Sequence, residues 1–369
     1  MTACKANRCC CIRVGSLLAL WLAMSVPVAA QTAPSVGPDI VATMDRLAIK
    51  LPAEIAGSEP VRRPLEELTR ERCDQKAIAT LGMELDKAGY RREAANAHVS
   101  YSESCGGYPP SLRSAAIILL RLTDYTKAAT VASDLIKLQP FNDGGYYLRA
   151  VAYDRGGFPK KAIDDYITTI ELFGNKEKIG SASYYGMARS YEKLGQFCDA
   201  VLPIETWVAL NPTRNDTSQT RAVIAAYAAK GKCQVAATTG EEVFTLSRPN
   251  NVVKLPVMVN GVRGVFVLDT GATFVSLKAA FAQKANVQID QDSAVRLHTA
   301  NGIAEGKRGR AATIQLRSLQ ANDVAVVVQP DAQGTFGEGV DGLLGMSFLS
   351  RFKLTIDAQA VKISNRKDK

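Results

Sequence analysis

A short phrase recurs along the first two-thirds of the chain and dictates what that part can fold into. A glycine or small polar residue comes first, then an aromatic, then an alanine about one helical turn later. The copies are Gly89-Tyr90 with Ala94, Asp124-Tyr125 with Ala128, Gly157-Phe158 with Ala162, and Gly195-Gln196-Phe197 with Ala200. The aromatics at 90, 125, 158 and 197 are 35, 33 and 39 residues apart, and Lys230-Gly231-Lys232-Cys233 reads as a degraded further copy. Between them the chain is alanine-rich and amphipathic at the helical period. The glycine supplies a tight turn between antiparallel helices, the aromatic fills the groove, and the alanine lets the helices approach closely. A single hairpin of this kind cannot bury its apolar face alone, so neighbours must stack. Pro140 and Pro212 fall where the second helix of a repeat would end.

This pattern resembles tetratricopeptide repeats, which run to about 34 residues each. The aromatic-to-alanine spacing drifts between three and four residues and one step is long, so an irregular array of helical hairpins is the alternative. Either way, residues 63–246 are expected to form an all-α, right-handed helical solenoid, whose concave face would bind peptides or partner proteins. Residues 31–62 are rich in Pro, Ala, Ser and Gly with little period. They read as a flexible linker, with a short helix near Ile40 to Leu51.

The first thirty residues read as a signal peptide. Lys5, Arg8 and Arg13 precede an apolar stretch, Ser16 to Ala30, that ends in Val28-Ala29-Ala30 with Pro27 just before. At roughly 15 residues the stretch is short for a membrane span, which needs about 20. Cleavage after Ala30 would leave a protein with no membrane span and place it in the periplasm or outside the cell. No cysteine sits at the end of the apolar run, which argues against a lipoprotein. The four cysteines beyond it, Cys73, Cys105, Cys198 and Cys233, suit an oxidising compartment. They allow three pairings, and the sequence alone does not choose. Cys73–Cys105 and Cys198–Cys233 are the expected pairs, since each spans about one helical repeat; four buried free thiols are the alternative. Zinc-ligand spacing is lacking, so no metal site is expected. The formal net charge of +9 becomes +6 without the three leader cations, at 42 basic against 36 acidic residues. Apart from a basic tail at 366–369 the excess is dispersed, so nucleic-acid binding is not expected.

Near Ser247-Arg248-Pro249-Asn250 the alphabet changes. Val252, Val253, Leu255, Val257 and Val259 follow a strand pattern, and Asn260-Gly261 is a hairpin turn signal. Residues 250–365 therefore read as a second, mainly-β domain with one helix, Ser276 to Ala285, capped by Ser276. Val265-Phe266-Val267-Leu268 is an apolar strand that runs into Asp269-Thr270-Gly271-Ala272-Thr273. A carboxylate at the end of a buried strand carries a desolvation cost that the fold must compensate or use. Gly271 lets backbone approach the carboxylate, Ala272 and Thr273 are small enough for a tight turn, and Thr270 can hydrogen-bond to a neighbouring chain. Downstream, Leu343-Leu344-Gly345 supplies two apolar residues and a glycine to pack under the turn. Val295 to Thr299, Ala300-Asn301-Gly302 and the return from Ile303 form a hairpin that could fold over a cleft as a flap.

Taken together, Phe266 to Thr273, Thr299-Ala300-Asn301-Gly302 and Gly342-Leu343-Leu344-Gly345-Met346-Ser347-Phe348-Leu349 resemble the retropepsin family of aspartic proteases, most of all its bacterial, periplasmic group. The resemblance covers the last third of the chain and implies an acid-protease barrel. It implies Asp269 as the catalytic residue, Thr270 to Thr273 with Leu343 to Gly345 as support for its loop, and Thr299 to Gly302 as a substrate-binding flap. The flap lacks the viral glycine-rich tip, and Glu305 to Arg310 is highly charged. The implied chemistry needs no metal or organic cofactor. Two carboxylates sharing a site cannot both ionise. The ionised one activates a water that attacks the peptide carbonyl, and the protonated one donates to the carbonyl oxygen. The chain has one Asp-Thr-Gly, and Asp341-Gly342 reads as structural, so the second carboxylate must come from a second copy across a two-fold axis. The function implied is an exported endopeptidase of protein substrates that acts as a homodimer, its repeats recruiting substrate or partner. The alternative is a non-catalytic binding scaffold whose β domain only dimerises. Of the two histidines, His98 reads as a surface or packing residue of the helical array, and His298 lies in the expected flap strand. No motif supports a Ser-His-Asp triad.

Overall fold

A computed structural model describes residues 36–233, 240–245, 252–299, 302–331, 336–356 and 360–365. The expected signal peptide at 1–30, the flap-tip residues Ala300 and Asn301, and the basic tail at 366–369 lie outside these residues. The first part of the chain is all α. Helices α1 (Pro38–Arg46), α2 (Ala53–Ala56) and α3 (Glu59–Arg70) lead into α4 (Gln75–Lys87), α5 (Arg91–Ser104), α6 (Pro109–Arg121) and α7 (Tyr125–Leu138). The series continues through α8 (Asp143–Arg155), α9 (Pro159–Leu172), α10 (Ala182–Lys193), α11 (Phe197–Leu210), α12 (Pro212–Asn215) and α13 (Ser218–Gly231).

The recurring phrase sits at the turn of each hairpin, as its chemistry demands. Gly89, Gly157 and Gly195 have φ of +88°, +85° and +73° at the α4/α5, α8/α9 and α10/α11 turns. The copy without glycine puts Thr123 in the same left-handed region, φ +60°. There Asp124 caps α7, its carboxylate accepting from the Lys127 amide at 3.3 Å. The four alanines at 94, 128, 162 and 200 all lie on the second helix of a hairpin with 0 % exposure, which is why nothing larger stands there. Pro140 follows α7 and Pro212 follows α11, each just past the end of a second helix. Both disulfides have the expected pairing: Cys73–Cys105 joins the loop before α4 to the end of α5, and Cys198–Cys233 joins α11 to the residues after α13.

Two expectations about boundaries need correction. The stretch from Pro38 to Arg62 is not a flexible linker. It folds as α1, α2 and the start of α3, with Leu47, Ile49, Ala56 and Val61 buried in the helical core. Apolar Ile40, Met44 and Leu47 are spaced to put one face of α1 on that core. At the other end, Glu241–Thr245 is a strand of the β domain and not the tail of the helical one. It pairs in register with Ala360–Ser364, burying Phe244.

The mainly-β part comprises β1 (Glu241–Thr245), β2 (Lys254–Val259), β3 (Val262–Leu268), β4 (Val275–Lys278), β5 (Gln288–Ile289), β6 (Val295–Thr299), β7 (Gly302–Leu316), β8 (Leu319–Gln329), β9 (Gly342–Leu344), β10 (Phe352–Ile356) and β11 (Ala360–Asn365), with short helices α14 (Ala279–Lys284) and α15 (Met346–Leu349). The expected Ser276–Ala285 helix is shorter. Ser276 belongs to β4, paired with Val327 of β8, and Lys278 precedes the helix. The main sheet runs β2-β3-β9-β4-β8-β7-β5, and β2 also pairs with β7, so the sheet curls back on itself. A smaller sheet, β1-β11-β10, packs beside it. Asn260 (φ +48°) and Gly261 (φ +83°) make the tight β2/β3 turn that the Asn-Gly pair foretells. Among the described residues, no helix is long and apolar enough to cross a membrane.

Candidate active site

Asp269 stands directly after β3, half-buried, where the parallel ladder between β3 and β9 ends. That ladder sets Phe266 opposite Gly342 and Leu268 opposite Leu344. It continues one step into the turn, where the Asp269 amide donates to the Leu344 carbonyl at 3.1 Å. The carboxylate is held from within the turn: the Gly271 amide donates to Asp269 Oδ1 at 2.8 Å, and the Ala272 amide to the Asp269 carbonyl at 3.3 Å. The far side of the turn is fixed by α15. The Met346 amide donates to the Ala272 carbonyl at 2.8 Å and the Ser347 amide to the Thr273 carbonyl at 3.0 Å.

Gly345 is needed because the two backbones nearly touch there. A Cβ at that position would lie 2.2 Å from the Phe274 carbonyl oxygen and 2.8 Å from that of Ala272. Leu344 is fully buried beneath the turn, while Leu343 is half-buried. The structure thus brings Asp269, Thr270, Gly271, Ala272 and Thr273 together with Leu343, Leu344 and Gly345. Asp341 is structural, its Oδ2 accepting from the Val265 amide at 2.8 Å. Thr299 and Gly302 pair at the end of the β6/β7 hairpin, so the expected flap is a hairpin. His298 belongs to its first strand. His98 is far from this site in sequence and buried in the helical domain, Nδ1 lying 3.2 Å from Ser111 Oγ; burial pushes it down to about 4.

The helical repeats are not a free arm, because α9, α10 and α11 pack on this domain. Phe274, Val295, Leu297, Ala325 and Val327 share one buried cluster with Tyr166, Ile167, Met187, Tyr191 and Leu202. The charged run from Glu305 to Arg310 is explained by this contact. Arg308 reaches Asp164 of α9 and also pairs with Asp290 at 2.9 Å. Arg310 pairs with Asp199 of α11 at 2.5 Å and with Asp323 at 2.8 Å. Burial pushes the Asp164 carboxyl up to about 6, in spite of the opposing pull of Arg308. On β6, the Arg296 amide donates to Thr168 Oγ1 at 3.0 Å and its guanidinium to the Tyr146 hydroxyl at 2.7 Å. A cavity of about 270 Å³ lies beside these ion pairs, lined by Tyr191, Gln196, Phe274, Arg308 and Arg310, and not at Asp269.

Residues 255–351 match the sequence family described as gag-polyprotein putative aspartyl protease. The β domain is retropepsin-like. Among solved structures, a retropepsin-like aspartic protease from Rickettsia conorii is similar at 26 % identity over 34 % of this chain and 98 % of its own, with a TM-score of 0.26. MamA from Desulfovibrio magneticus RS-1 is similar at 15 % identity over 49 % of this chain and 99 % of its own, TM-score 0.37. A thermophilic TPR protein from Thermus thermophilus is similar at 15 % identity over 51 % of this chain and 93 % of its own, TM-score 0.34. No curated protein matches the chain.

Sequence reasoning missed two residues that brace the site. Ser347 ties α15 to β4 and β8 within the β domain: its hydroxyl accepts from the Val275 amide at 2.9 Å and donates to the Ala325 carbonyl at 2.7 Å. Lys176 is the other, and it comes from the helical domain. It lies between α9 and α10, and its Nζ donates to the Gly271 carbonyl at 2.9 Å. A polar residue at 347 amid apolar neighbours was a readable signal for the first. Nothing in the sequence pointed to the second.

Proposed function

We propose that the chain is an exported aspartic endopeptidase that acts as a homodimer, its two Asp269 carboxylates forming one catalytic dyad. The observation that carries this reading is the geometry of the Asp269 turn. The Gly271 amide holds one carboxylate oxygen, β9 braces the backbone below, and the carboxyl remains partly open to solvent. That is a rigid mount for a reacting group. One such turn per chain supplies one carboxylate, so chemistry requires a second copy facing it, with Thr270 placed to bond across the two-fold axis. The dyad then shares a proton, and its two titrations belong to the pair. Water attack on the peptide carbonyl and proton donation to its oxygen follow as general base and general acid catalysis. The β6/β7 hairpin would cover bound peptide.

Helices α9 to α11 stand against the flap and the turn, so in this reading the repeats form a wall of the cleft. Their remaining surface is left to receive substrate or a partner protein. The two disulfides suit the periplasm or the cell exterior. The test is cleavage of an unfolded protein by wild type and Asp269→Asn at mildly acidic and neutral pH. Activity in wild type only is expected; equal activity in both refutes the reading.

A further inference from the structure

Lys176 reaches from the helical domain into the Asp-Thr-Gly turn, a contact the β domain has no means of making by itself. Its Nζ donates to the Gly271 carbonyl at 2.9 Å, and the amide of that same glycine donates to Asp269 Oδ1 at 2.8 Å. One residue therefore links the lysine to the carboxylate. The lysine is itself steered. Glu171, at the end of α9, accepts from Lys176 Nζ at 2.9 Å through Oε2, with the glutamate side chain 6 % exposed and the lysine 22 %. Glu171 Oε1 is buried and has no hydrogen-bond partner among the described residues. Burying a carboxylate with half its bonding capacity unused is costly, and stacking alone would not select it.

We propose that Lys176 is a positioning residue for catalysis, through which the repeat domain fixes the Gly271 carbonyl and with it the turn that carries Asp269. The proposal rests on the dyad reading above. Lys176 holds the Gly271 carbonyl from outside the turn while Glu171 holds Lys176, so the brace depends on both side chains.

The experiment measures kcat and KM for peptide cleavage across pH 3 to 8. It uses the full chain as wild type, Lys176→Met, Lys176→Arg, Glu171→Gln and Asp269→Asn, each checked for cooperative melting. Lys176→Met is expected to lose about tenfold in kcat with KM little changed, since it loosens a mount and not a binding pocket. Glu171→Gln removes the charge that steers the ammonium and should lose kcat in the same way but by less, and Lys176→Arg, which can still donate to the Gly271 carbonyl, should stay near wild type. A kcat loss at unchanged KM, restored by arginine, is what a general loss of stability would not produce. If Lys176→Met fails to fold, the kcat of Glu171→Gln decides alone. Wild-type kcat in both variants overturns the proposal. So does a rise in activity of Lys176→Met, which would show that the lysine obstructs the cleft. An Asp269→Asn chain as active as wild type sinks the dyad reading, and this proposal with it. A silent Asp269→Asn chain alongside wild-type kcat in Lys176→Met and Glu171→Gln overturns only the role of Lys176.

Discussion

Replacing Arg308 by methionine tests whether the repeat domain is fastened to strand β7 by charge. The Arg308 and Asp164 side chains are 15 % and 11 % exposed, so the pair is almost wholly shielded from water. Methionine keeps most of the apolar stem and removes the guanidinium, leaving the buried Asp164 with a backbone hydrogen bond from Ala294 and no countercharge from Arg308. Breaking a buried pair in this way costs about 3–5 kcal/mol. The pH dependence carries more information than the total. Asp164 in the folded chain titrates at about 6, above its ordinary 3.8, because burial outweighs its bond to Arg308. Ionising it therefore costs folded-state stability, and that cost grows between about pH 4 and 6 and is flat above. Without Arg308 the folded pKa rises further, so the cost keeps growing past pH 6. At pH 5 Asp164 is largely protonated in both proteins, and the variant should differ from wild type by about 1 kcal/mol. At pH 7.5 the difference should be about 3 kcal/mol, and Asp164→Asn in the Arg308→Met background should recover most of it. Trp207 of α11, the one tryptophan beyond the first thirty residues, reports this face through its fluorescence. Urea unfolding followed at that residue supplies the measurement. Equal losses at the two pH values, or no rescue by Asp164→Asn, would refute the reasoning.

Gly345→Ala forces a Cβ to within 2.2 Å of the Phe274 carbonyl oxygen, so the turn backbone must move by about 1 Å. Peptide cleavage is expected to fall about 100-fold with the dimer intact by sedimentation. His98 titrates in the folded chain at about 4 against an ordinary 6.5, burial being the cause. The unfolded chain thus binds a proton first, and roughly 3 kcal/mol of stability is lost as pH falls from 6.5 to 4. His98→Gln should flatten that window in a series of denaturant titrations.

The turn at Asp269 was legible because every part of it is local or strongly patterned. The apolar run ends at the aspartate, the glycine follows, and Leu343-Leu344-Gly345 supplies a support of the right kind, which β9 turns out to be. The hairpin turns and the four buried alanines were legible for the same reason, since a close approach admits only small residues. What could not be read was the docking of one domain on the other. Arg308 and Asp164 are 144 residues apart, and Lys176 and Gly271 are 95 apart. A charged run such as Glu305 to Arg310 looks like a solvated face until its partners are known. The lead-in showed its first helix, expected near Ile40 to Leu51 and found as α1, but Pro and Gly spacing hid α2 and the anchoring of the whole stretch, since Leu47, Ile49 and Ala56 lie partly in the turns. Strand β1 was missed because five residues, Glu241–Thr245, with one buried side chain carry almost no pattern of their own.

The central claim is that one active site needs two copies of Asp269, and subunit mixing tests it most directly. Wild type and Asp269→Asn would be dissociated, combined at known ratios and allowed to reassociate, and peptide cleavage read against the wild-type fraction. If the dyad is shared, mixed dimers are inactive and activity follows the square of that fraction, so an equal mixture retains about a quarter of full activity. Activity that falls in simple proportion would mean that each chain cuts by itself, and would contradict the account.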